Sequence, residues 1–133
     1  MEISATLQDQ FANAIDTAVG TTGFARFYTA AYATLLASAG CNNPAFGTAA
    51  TGVITLDVTP AVEDTSPVAA GTCVLLGLYA STAATSGAFI AAMGVATGGS
   101  PDVTMSNNVI ATTDTVQISS LTITVPTGTP DAT

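Results

Sequence analysis

The stretch TVQISSLTITVP (115–126) decides how this chain folds. Its apolar residues fall on even positions at Val116 and Ile118, then on odd positions at Leu121, Ile123 and Val125. Successive side chains of a strand point to opposite faces, so a change of parity would send half of these residues into water. One extra residue at Ser119-Ser120 removes the conflict. A β-bulge there twists an antiparallel strand and returns its apolar side chains to the core. TVQI and LTITV therefore read as two halves of one bent strand, of the kind found at sandwich edges and corners.

Other strands surround it. GVITLDVTP (52–60) alternates, with Ile54, Leu56 and Val58 on one face and Pro60 as a stop. TCVLLGLYAS (72–81) is apolar on both faces, the pattern of a central strand covered on two sides. GAFIAAMGVATGG (87–99) is a further strand of small residues, SPDVTMSNN a loop or a short edge strand, and NVIATTDTV a lead into the terminal strand. FARFYT alternates Phe24, Arg26 and Tyr28 with Ala25, Phe27 and Thr29. TAAYATLLASAG fits helix or strand, and periodicity does not decide it.

Only the N-terminal segment is clearly helical, at about residues 6–19. Thr6 is the expected N-cap, with Asp9 in the capping-box position and Gly20 as the stop. Leu7, Phe11, Ala14, Ile15, Ala18 and Val19 form the expected apolar stripe, opposite Gln8, Asp9, Gln10, Asn13, Asp16 and Thr17. The stripe makes the helix either a lid on the sheet or an assembly element. Together these elements predict a mainly β fold: an antiparallel β-sandwich or barrel-like domain with one N-terminal α-helix. Residues 1–126 form a single domain, and 127–133 a loose tail.

Composition narrows the function. Nine acids face a single base, Arg26, with no Lys and no His, for a net charge of −8. A nucleic-acid partner needs several cations to displace counterions, and an anionic membrane needs the same, so neither partner is expected. No stretch is long and apolar enough to span a bilayer. The N-terminus MEISATLQDQ lacks the basic and apolar regions of a secretory signal, which predicts synthesis in a cytoplasm. There, Cys41 and Cys73 are expected as free thiols, although their spacing also permits a disulfide.

Without His or Lys the usual general bases and the activators of a cysteine nucleophile are missing. No phosphate-cradling glycine motif occurs. Glu63 and Asp64, with Asp57 or Asp102, are the acids best spaced for a hard cation, but adjacent acids in a polar loop are ordinarily solvated. No catalytic, cofactor-binding or metal-ligating residue is expected, and the chain reads as a non-enzyme. Arg26 has two readings: a solvent-facing residue whose stem packs on Phe24 and Tyr28, or a charge-assisted contact to a carboxylate at a subunit interface.

With these segments placed, the chain resembles a family of small Ala/Thr-rich structural proteins of tailed bacteriophages. They open with a helix of the LxDxxANAxxDA type. They continue with a DPAFGAAxxGVAT-like motif and an aromatic-rich middle strand, and end on VSISSLTITVP. The corresponding stretches here are LQDQFANAIDTAVG (7–20), NNPAFGTAATGVITL (42–56), CVLLGLYASTAATSGAFIAAMGV (73–95) and VQISSLTITVP (116–126). The turn before the first strand is reworked, and the middle strand lacks the family's usual Trp. The resemblance implies a non-enzymatic virion component made in the host cytoplasm. First among such roles is a capsid decoration (cement) protein that binds other virion proteins, above all the major capsid protein, as a homo-oligomer. A tail or head–tail connector subunit, and a carbohydrate-binding module on a virion appendage, are the alternatives. Phe11, Phe24, Arg26, Tyr28, Leu35 and Leu36 are the candidate interface residues.

Overall fold

A computed structural model describes residues 2–81, 88–96, 103–105 and 107–126. Helix α1 spans Ala5–Val19. Its N-cap is Ser4, whose Oγ accepts the Leu7 N–H at 3.3 Å, so the expected Thr6–Asp9 capping pair does not form. Gly20 ends the helix at φ 64°, a left-handed conformation open to glycine, and its N–H donates to the Asp16 carbonyl.

Strands β1 (Phe24–Tyr28) and β2 (Leu35–Gly40) form an antiparallel pair, joined by a short 3-10 turn at Ala30–Tyr32. The undecided TAAYATLLASAG segment thus divides. Its Ala and Leu content favours helix, but strand pairing with β1 wins over intrinsic propensity. There follow β3 (Val53–Thr55), β4 (Glu63–Asp64), β5 (Gly71–Thr72), β6 (Leu75–Tyr79), β7 (Phe89–Ala96), β8 (Val103–Met105), β9 (Val109–Ile110) and β10 (Val116–Thr124). The main sheet runs β2-β1-β6-β7-β8-β10-β3, with β4 pairing the first half of β10; β5 and β9 form a separate ribbon.

The fold is mainly β with one N-terminal helix, a curled mixed sheet that makes a half-barrel. One pair departs from the antiparallel expectation, because β7 and β8 run parallel. The VTM segment is also no edge: β8 lies between β7 and β10. The curl brings the free edge of β2 to the region of β4. There Asp64 accepts the Ser38 N–H at 2.8 Å, and the Leu36 carbonyl accepts the N–H groups of Val68 and Ala69.

Strand β10 is continuous and bulged where the parity changes. Ile118 pairs with Met105 and Ser120 with Thr104, leaving Ser119 extra. Both serines are exposed, whereas Val116, Ile118 and Leu121 are buried. The core mixes small and large residues: Ala25, Ala37, Ala39 and Ala45 are fully buried beside Phe27, Leu36, Leu76, Leu78 and Met105. Strand β6 is covered on both faces, as its sequence predicts. The expected tail at 127–133 lies outside the described residues.

Candidate functional site: an aromatic patch around Arg26

Alternation divides β1 between the two faces of the sheet. Ala25 and Phe27 enter the core; Phe24, Arg26 and Tyr28 take the outer face. Arg26 lies between Ser38 on β2 and Gly77 on β6, two small neighbours that leave room for a guanidinium. Gly77 has a second consequence. A Cβ there would sit 2.7 Å from a Tyr79 ring carbon and 3.2 Å from its hydroxyl, so only glycine lets the Tyr79 ring lie back across β6. In that position the Tyr79 hydroxyl is 3.4 Å from the Tyr28 hydroxyl, and the Arg26 guanidinium carbon is 5.5 Å from the Tyr79 ring centre. Such a cation–π contact is worth roughly 0.5–1 kcal/mol when exposed and about 2 when desolvated. Burial, and then the hydrogen bond to Tyr28, push the Tyr79 phenol up to about 12. Arg26 Nε is buried and has no hydrogen-bond partner.

Two further rings complete the patch. Tyr32 comes from the 3-10 turn, where Ala31 and Tyr32 both hold left-handed backbone (φ 54° and 58°). Each such non-glycine residue costs on the order of 1–3 kcal/mol, and hydrogen bonds from Thr34 N–H and Thr29 N–H across the turn help to hold it. Tyr32 meets Tyr28 edge-on at 5.1 Å and Phe89 at 6.4 Å, and Phe89 meets Tyr79 at 5.6 Å. Tyr28 and Tyr79 are thereby buried, at 7% and 6% exposure, while Tyr32 and Phe89 remain 41% and 42% exposed. All three tyrosines of the chain and its only base meet on one face.

The expected interface residues do not all belong here. Phe24, Arg26, Tyr28 and Leu35 share the outer face, Leu35 opposite Tyr28 in register. Leu36 does not: it is fully buried, the extra residue where the β1–β2 register shifts between Phe27–Ala37 and Tyr28–Leu35, so it enters the core beside Ala37. Tyr28 is on the right face but is covered by its aromatic neighbours. Tyr32 and Phe89, the rings that do reach solvent, were not among the expected contacts. Their assembly depends on strands far apart in sequence; the one local signal is the Gly-x-Tyr spacing of LLGLY, which puts a glycine beside a ring on the same face.

Phe11 is exposed (52%), but on the helix, for a reason absent from the expected stripe. The helix turns in Gln8, Ala12 and Val19, with Ile15 partly buried, and leaves Leu7, Phe11, Ala14 and Ala18 outside. Residues 46–52 form few ladder bonds and need acceptors for their N–H groups. The helix supplies them. Asp9 accepts Gly52 N–H at 2.6 Å, Asn13 accepts Ala49 N–H at 3.1 Å, and Asp16 accepts Phe46 N–H at 2.9 Å. The spacing of 9, 13 and 16 places all three on one face. These bonds rotate the helix so that Gln8, Asp9 and Asp16 of the face expected in water are turned toward the fold and much of the apolar stripe is exposed.

Other acids are also tied to backbone. Asp57 accepts Thr59 N–H, Asp64 accepts Ser38 and Ser66 N–H, and Asp114 accepts Ala111 N–H. With Asp9 and Asp16, five of the nine acids act as structural acceptors. Glu63 is exposed on β4, and Asp102 lies outside the described residues. Among the described residues no three His, Cys, Asp or Glu converge as a metal site. Cys41 and Cys73 are free thiols; burial pushes Cys41 up to about 11 and raises Cys73 as well. Two described grooves, of about 220 Å³ beside Met93 and Ile123 and about 160 Å³ beside Asp114 and Gln117, lie apart from the aromatic patch. Both are smaller than the roughly 300–1,000 Å³ of typical ligand pockets. No described helix is long and apolar enough to cross a membrane. No protein-family model, curated protein or solved structure matches the chain.

Proposed function

We propose that the protein is a non-enzymatic structural component of a tailed-phage virion, a capsid decoration protein that binds other virion proteins at the head shell. The observation that carries this reading is that exposed large apolar side chains, besides Val68, Val74 and Val109, group in two places on a chain of net charge −8. One is the aromatic patch of Tyr32 and Phe89 beside Arg26; the other is the helix stripe of Leu7 and Phe11. Aromatic residues and Arg are the types enriched where proteins meet. Two supports come from the sequence motifs. The helix motif and the NPAFGTAATG motif interlock through Asp9, Asn13 and Asp16, and the terminal motif contains the bulge that keeps β10 in the core. The stretches that carry the phage resemblance are thus joints of the fold.

A tail or head–tail connector subunit is the second reading, favoured by the acidity, since a repulsive lumen lets DNA slide. The test is quantitative peptide mass spectrometry of gradient-purified particles from the genome that encodes the chain. Decoration predicts copies in simple proportion to the major capsid protein. A few copies per particle would favour the connector or tail, and absence from particles would refute both.

A further inference from the structure

We draw no further inference here: the strongest candidate, the groove of about 220 Å³ between Ala91–Met93 of β7 and Thr122–Thr124 of β10, carries nothing because nothing among the described residues shows what covers it.

Discussion

Deleting Gln117 tests the phase of β10 more severely than any substitution. The bulge would absorb a deletion of Ser119 or Ser120, because Ile118 and Leu121 would then face Met105 and Val103 with one residue between them on each strand. A deletion at Gln117 has no such outlet. Ile118 and the second half of β10 are held in register by β8 and by β3. Val116, 3% exposed, would therefore take the outward position of Gln117, and exposed Thr115 would turn inward. Losing the burial of Val116 costs about 1.5–3 kcal/mol. Burying the Thr115 hydroxyl without a partner adds about 1–3 kcal/mol. The sum is a large part of the roughly 5–15 kcal/mol that stabilises a domain. Urea unfolding followed by circular dichroism should show the midpoint lowered by more than about 1 M, or no folded baseline. Deleting Ser120 instead keeps Val116, Ile118, Leu121 and Ile123 on one face and should keep a folded baseline. Ser119→Ala and Ser120→Ala preserve the residue count at exposed positions and should stay within about 0.5 kcal/mol of wild type. A soluble Gln117 deletion with the wild-type midpoint would show that the two halves are not one strand in phase with the core.

Asp16→Ala removes the acceptor of the Phe46 N–H and should cost about 1.5–3 kcal/mol in chemical denaturation, more than Phe11→Ala at its exposed position; the reverse ranking would show that apolar contacts dock the helix. Gly77→Ala should displace the Tyr79 ring, and an ultraviolet pH titration would then find the highest tyrosine moved from about 12 back toward its ordinary value. Because folding raises the Tyr79 pKa from 10.0 to about 12, its contribution to stability is full below pH 10 and is lost as pH rises from there to about 12. Wild type should lose that contribution across this window and Gly77→Ala should lose less. Cys41, raised from 9.0 to about 11 by burial, should react with a thiol reagent near neutral pH about a hundredfold more slowly in the folded protein than in urea; equal rates would place it at the surface.

Local patterns carried as much of the fold as local forces determine. The bulge was legible because Val116, Ile118, Leu121 and Ile123 record which way each half must face, and β6 because both its faces are apolar. Gly20 marked the helix end through the backbone angle that it alone adopts cheaply. The orientation of α1 was not legible. An apolar stripe ordinarily turns inward, and what overrode it were N–H groups of residues 46–52, which only the tertiary fold brings within reach of Asp9, Asn13 and Asp16. The interior place of β8 was hidden by its three-residue length. The aromatic patch was half legible. Phe24, Arg26 and Tyr28 share a face by alternation, but Tyr32 reaches it through an unusual turn and Phe89 through the pairing of β6 with β7.

The same hydrogen bonds that rotate the helix leave an apolar stripe in solvent, and its size limits what a contact there could hold. Leu7, Phe11, Tyr32 and Phe89 are between 37% and 52% exposed. Full burial of such side chains is worth about 1.5–3 kcal/mol each, so covering these fractions yields about 2–6 kcal/mol for all four. Joining two molecules costs about 4–15 kcal/mol in lost freedom. One contact through the helix stripe or the aromatic patch alone is therefore marginal. Under the proposed decoration role, a copy docked on a shell beside its neighbours would form several contacts for one loss of freedom, and binding would be held where a single contact is not. Phe11→Ser and Phe89→Ser, at exposed positions, should then be tested by their occupancy on particles. Occupancy unchanged in both variants would show that neither surface makes the contact.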